Sequence, residues 1–139
     1  MSDHHIDPTK EAFAALKGLA LDHPVEMLNL VKLREKAVYE DGRAASGAES
    51  YAAYGKESGP IFHKVGGEIV WSGQPEHMLI GPSSETWHVA FIARYPTGQA
   101  FLDMVYDPAY QAIVFHRQAA VETSRLIRTK PRESGKGFG

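Results

Sequence analysis

The sequence predicts an α+β domain built on a four-stranded antiparallel sheet, and three observations carry that reading. Two segments, Val25–Leu33 and 87–95, are apolar on both of their alternating faces, the mark of interior strands. Two others, 68–72 and 124–129, are shorter, and the first alternates with Ile69 and Trp71 on one face, as an edge strand does. Helical spacing fills the intervals, so that a leading helix is followed by the order β-α-β-β-α-α-β.

Residues 1–23 read as an N-terminal segment. It is polar through His5, and the His4-His5 pair reads as solvated rather than metal-bound. Asp7-Pro8 has the pattern of a helix cap followed by proline in the first turn. Phe13, Leu16, Leu19 and Ala20 then recur at helical spacing, which predicts a short amphipathic helix over 9–20. In the first strand Met27, Asn29, Val31 and Leu33 share one face, and Leu28, Leu30 and Lys32 share the other. A charged connection over 34–47 follows, longer than most. Ser46 and Glu49 form a capping box, each side chain suited to a free backbone donor of the other. The helix they open carries Ala48, Tyr51, Ala52, Gly55, Phe62 and Val65 on one stripe. Gly59-Pro60 should kink or restart it, and Gly66-Gly67 ends it.

Residues 73–86 connect the second and third strands, with Met78-Leu79-Ile80 a candidate continuation of the strand past a bulge. In 87–95 one face carries Trp87, Val89, Phe91, Ala93 and Tyr95, and the other His88, Ala90, Ile92 and Arg94. Pro96-Thr97 starts a short helix with Phe101, Met104 and Val105 inward, and Asp107-Pro108 caps another that runs to about Ala120. The last strand completes a domain spanning 24–129, and 130–139 read as a disordered tail. The order matches the split βαβ, or ferredoxin-like, arrangement with its first and third strands central. Helices can cover only one face of such a sheet. The other face is still apolar, so a second copy of the chain is the expected cover and a homodimer the expected state.

Composition excludes several kinds of function. The 139 residues suffice for one domain with its own core. Fifteen Lys and Arg against seventeen Asp and Glu, a formal charge of −2, give no broad field for nucleic acid or an anionic membrane. The absence of cysteine removes disulfides, thiolate catalysis and zinc-thiolate or iron–sulfur sites, and suits a reducing compartment. Neither a secretory leader nor an apolar run long enough to span a membrane is read, so the expected location is cytoplasmic. His23, His63, His77, His88 and His116 show no ligand spacing, so no metal is expected. Phosphate-binding loops, dinucleotide fingerprints and nucleophile elbows are missing as well, and the reading carries no cofactor.

The signals that remain are polar residues in apolar settings. On the helix after Asp107, Tyr110, Ile113, Val114, Arg117, Ala120 and Val121 share a face. Arg117 thus needs a partner, either a structural carboxylate or carbonyl or the carboxylate of a small organic anion, with His116 beside it. Asn29 and Lys32 stand on opposite faces of the first strand, only one of which can line the space under the helices. Tyr54 and Trp87 complete the ligand-binding candidates, although core or interface roles suit such aromatics better.

Taken in order, several segments resemble the bacterial "domain of unknown function 1330" family: Val25–Leu33, Tyr51 through Tyr54 to Gly59-Pro60, Gly66-Gly67 before Val70-Trp71, Trp87, and Arg94-Tyr95-Pro96. Phe101, Asp107-Pro108 before Tyr110, His116-Arg117 and Ser124-Arg125-Leu126 continue the likeness, which covers about Pro24 to Thr129. The resemblance implies a dimeric α/β barrel, two ferredoxin-like sheets facing each other, in a superfamily that includes cofactor-independent monooxygenases, lactone isomerases and haem-handling enzymes. Two functions stay open: a cofactor-independent enzyme acting on a small organic acid or aromatic compound, and a non-catalytic dimeric small-molecule-binding or stress-associated module.

Overall fold

The computed structural model describes residues 4–135, 137 and 138. Its elements run α1 (Lys10–Lys17), β1 (Val25–Leu33), α2 (Gly47–Lys64), β2 (Glu68–Gly73), β3 (Val89–Tyr95), α3 (Gly98–Tyr106), α4 (Pro108–Gln111), α5 (Phe115–Ala120) and β4 (Val121–Thr129). The four strands form one antiparallel sheet in the order β2-β3-β1-β4, so β1 and β3 are central, as their two-sided apolar pattern requires.

Register assigns the two faces. Met27 lies opposite Ala93, Asn29 opposite Phe91 and Val31 opposite Ser124, and these residues share the face covered by helices. Val25, Met27, Ala93 and Tyr95 on it pack with Ile61 of α2 and Ala100 and Met104 of α3 as the core. Leu28, Leu30 and Ile92 point the other way and stay only half-buried. On the same side Trp71 and Ile127 are each 50% exposed, so a largely apolar surface has no helix over it.

Several local expectations need correction. The helix α1 is capped by Thr9, whose hydroxyl accepts from the Ala12 amide at 3.0 Å, and not by Asp7. Asp7 is engaged elsewhere, by Gln118, and the chain stays outside the helix through Pro8. Pro60 neither kinks α2 into two nor restarts it: α2 is a single helix of 18 residues. Lys56 and Pro60 are both exposed, so water can take the carbonyl that a proline amide leaves unpaired. The helix expected from Asp107 to Ala120 is broken into α4 and α5 by a turn at 112–114, where the Tyr110 carbonyl accepts from both Ile113 and Val114 at 3.0 Å. Ile69 and Trp71 do not share a face. A bulge between them sets Ile69 opposite Ala93 and Trp71 opposite Ile92, on opposite sides of the sheet. Residues 78–80 do not extend β2; Leu79 and Ile80 are 82% and 91% exposed. The third strand starts at Val89, two residues after Trp87, and the fourth at Val121, directly out of α5.

The capping box forms as the sequence implies, Ser46 accepting from the Glu49 amide at 3.0 Å and Glu49 from the Ser46 amide at 2.8 Å. Gly47 beside it has no room to change. A Cβ there would lie 1.9 Å from the Arg34 carbonyl oxygen, backbone against backbone. Gly55, further along α2, would place a Cβ in open space. Gly47→Ala is therefore expected to cost about 1–3 kcal/mol through forced movement. Gly55→Ala should be neutral or stabilise by up to about 1 kcal/mol through helix propensity. Chemical denaturation of the two variants checks the contrast.

Candidate functional site

Between the helix-covered sheet face and α2, α4, α5 and the N-terminal segment lies a cavity of about 1470 Å³. Met27, Phe91, Ala93 and Phe101 give it apolar walls, and Phe13 and Leu16 of α1 close one side. Its polar lining includes Arg117 from α5, Tyr51 and Tyr54 from α2, Tyr110 from α4, and Ser124 and Asn29 from the sheet, with His5, Asp7, Gln118, Arg125 and Arg128 among the others.

Arg117 is held by oxygen atoms alone. Its Nη1 donates to the Ile6 carbonyl at 2.5 Å, and its Nη2 donates to the Ser124 hydroxyl at 3.1 Å. No carboxylate pairs with it among the described residues, which distinguishes it from Lys32, Arg43 and Arg94. A guanidinium has five donors in a planar fork, and its partners here are neutral oxygens, each weaker than a bidentate carboxylate.

The tyrosines form one group. Tyr51 and Tyr54 have ring centroids 5.7 Å apart, Tyr54 meets Tyr110 edge-on at 6.1 Å, and the Tyr54 and Tyr110 hydroxyls are 2.7 Å apart. Burial pushes the Tyr51 phenol up to about 12 and the Tyr54 phenol well above its ordinary value, with Tyr110 raised for the same reason. The Arg117 charge opposes all three shifts without reversing them. These hydroxyls are thus neutral donors at any physiological pH, grouped beside a fixed cation.

The six candidates from the sequence separate in space. Arg117, Tyr54 and Asn29 line the cavity. The Asn29 amide donates to the Met27 carbonyl at 3.0 Å, which fixes its orientation on the cavity wall. Lys32 lies on the opposite sheet face, paired with Glu122 at 3.0 Å. Trp87 precedes β3 and stacks under the Arg125 guanidinium, 5.2 Å from the ring centroid. His116 is turned from Arg117 into a clamp, with Nε2 3.0 Å from Glu57 and Nδ1 2.7 Å from the Tyr39 hydroxyl. That clamp ties the 34–46 connection to α2 and α5. Tyr51, Tyr110 and Ser124 were not singled out from the sequence. Tyr51 and Tyr110 carry inward helical phase, the only available hint, and Ser124 has none. Among the described residues no group of three or more His, Asp or Glu could hold a metal ion, and no helix is long and apolar enough to cross a membrane.

The sheet order, the one-sided helix layer and the cavity beneath it define an α+β protein of the ferredoxin-like class. SnoaB, a cofactor-independent oxygenase from Streptomyces nogalater, has this fold with a TM-score of 0.53 and 15% identity over 83% of this chain and 99% of its own. Residues 44–129 match the Domain of unknown function (DUF1330) family, and the chain belongs to it. RPA0582, a protein of unknown function from Rhodopseudomonas palustris, is 55% identical with a TM-score of 0.90, covering 94% of this chain and 99% of that one. Its methylated form gives 56% identity and a TM-score of 0.93 over 96% and 98%. No curated protein matches the chain.

The raised phenols have a consequence for alkaline stability. A phenol that keeps its proton longer in the folded chain than in the unfolded one contributes stability below pH 10, and that contribution is lost as pH rises toward 12 and beyond. Tyr51, Tyr54, Tyr110 and Tyr95 all shift this way. Each should remove about 1.4 kcal/mol per pH unit above 10. Phenolate absorbance followed with circular dichroism should show these four ionising together with unfolding. Ionisation of all the tyrosines near pH 10 in a folded chain would contradict it.

Proposed function

We propose that this chain binds a small organic acid with an aromatic or otherwise apolar body in the cavity under its helices, and acts on it as an enzyme that needs no bound cofactor. The observation that carries the reading is the setting of Arg117: its guanidinium has no carboxylate partner and lies in a cavity with apolar walls, beside three protonated phenols. Arg117 suits the carboxylate, through a charge-assisted fork. The Tyr54–Tyr110 pair supplies neutral O–H groups, the kind of donor that stabilises an oxyanion as charge develops on a carbonyl or phenol oxygen. Catalysis is the finer part of the reading; the same site without turnover is a dimeric binding module. The likeness to SnoaB supports the fold and leaves the chemistry to this chain's own residues.

The second part of the proposal is the homodimer. The uncovered sheet face, with Leu28, Leu30, Ile92, Trp71 and Ile127, supports a second copy packed sheet to sheet. Light scattering after size exclusion should give about twice the 15.3 kDa chain mass. A monomer at micromolar concentration would remove this part.

Melting curves of the full chain with benzoate, phenylacetate and salicylate test the ligand. At about one hundred times its Kd, a ligand that binds only the folded state adds about 2.7 kcal/mol, a rise of several degrees. The wild type should show it with at least one acid, Arg117→Met should lose it, and Arg117→Lys should keep part of it. If no acid moves the wild type while Arg117→Met melts far lower, Arg117 is a structural link and the proposal is wrong.

A further inference from the structure

The N-terminal segment from His5 to His23, α1 included, lies along the cavity and is anchored by backbone hydrogen bonds at both ends. At one end the His5 amide donates to the Thr123 hydroxyl at 3.0 Å. The His5 carbonyl accepts from both the amide and the hydroxyl of Ser124, each at 2.7 Å, and the Ile6 carbonyl accepts from Arg117. At the other end the Leu21 and His23 carbonyls accept from the Gln99 and Gly98 amides at 3.0 Å. Between these anchors α1 buries none of its residues, although Phe13 and Leu16 face the cavity. Along its length Asp7 accepts from Gln118, Phe13 meets the Tyr106 ring edge-on at 5.8 Å and the Ala20 carbonyl accepts from Arg128. The segment is thus fixed by hydrogen bonds and one aromatic contact, with Phe13 and Leu16 only half-buried. Elements held in that way open at low cost compared with a packed core.

Its contacts coincide with the polar end of the cavity. Two consecutive carbonyls, of His5 and Ile6, are wired to the same guanidinium, one directly and one through the Ser124 hydroxyl. A carbonyl offers Arg117 a partial charge and a single bond. A carboxylate offers a full charge and two parallel bonds, and is the stronger partner. From this geometry we infer that the Ile6 carbonyl occupies the place of a ligand's carboxylate oxygen, so that residues 5–9 and the organic acid compete for Arg117. The segment is then a gate that carries its own stand-in for the ligand. Binding of the acid releases residues 5–9 from β4, and their return helps to expel it. The gate also gives the half-buried guanidinium two oxygen partners while no ligand is bound. This inference rests on the cavity being the organic-acid site proposed above.

The test uses full-length protein with benzoate as the probe, and reads hydrogen exchange and affinity separately. In the wild type, saturating benzoate should speed exchange at the His5 and Ser124 amides at least several-fold, since the bonds they donate to the Thr123 hydroxyl and the His5 carbonyl are released. The second arm is His5→Pro, which removes the amide bonded to Thr123, with His5→Ala as the control for the lost imidazole. The proline weakens the gate and should lower the Kd for benzoate several-fold relative to wild type and to His5→Ala. Benzoate that binds in an Arg117-dependent way while these amides are unchanged or slowed overturns the gate and leaves the cavity site standing. An unchanged or weaker affinity in His5→Pro does the same. Absence of binding of benzoate, phenylacetate and salicylate alike to the wild type and to His5→Pro overturns the cavity reading, and the gate with it.

Discussion

A guanidinium does not give up its proton at any pH a protein survives, so a fold that places one beneath its helices must surround it with acceptors. Arg117 sets that requirement here. It is met by a carbonyl from the N-terminal segment and a hydroxyl from β4, which ties the first described residues and the last strand to the middle of α5. Its charge also acts on Tyr51, Tyr54 and Tyr110, against the burial that keeps those phenols protonated. The cavity, its closure and its electrostatics thus depend on how one side chain is satisfied. A protein carboxylate in the same position would have made a buried ion pair with little capacity left for a ligand.

The sheet supplies the frame for this arrangement. On its covered face Val25, Met27, Ala93 and Tyr95 meet α2 and α3 as core, and the last three also form a wall of the hollow that reaches Asn29 and Ser124. The Glu57–His116–Tyr39 clamp lies outside the hollow and braces it, because it joins α2 to α5 and to the long connection between β1 and α2. The apolar residues of the uncovered face lie on the reverse of the same strands, so the subunit contact proposed for it would not compete with the proposed ligand site.

Contacts close in sequence were legible before the structure. The strand at 25–33 follows from two-sided hydrophobicity and the start of α2 from Ser46 and Glu49, both properties of a few adjacent residues. Arg117 could be placed inward from helical phase, although the phase was drawn on an unbroken helix and the real chain has a turn at 112–114. Asn29 and Tyr54 reached the cavity, whereas Lys32, Trp87 and His116 found partners elsewhere. What could not be read is what depends on distant pairing. The bulge after Ile69 reverses the side on which Trp71 falls, and no local pattern marks it. The partner of Arg117 is a backbone carbonyl 111 positions away, and a carbonyl has no side-chain signature. Asp7-Pro8 looked like a cap because that pair favours helix starts; the bond from Gln118 to Asp7 overrides the local preference.

The central claim is that Arg117 is an anion site held by the chain itself until a ligand arrives. A crystal structure of the full chain grown with benzoate tests this most directly. The account predicts the benzoate carboxylate within hydrogen-bond distance of the Arg117 fork, its ring against Phe91 and Phe101, and the Ile6 carbonyl moved off Nη1. A cavity holding no benzoate, or benzoate bound elsewhere with Ile6 still on Arg117, would contradict it.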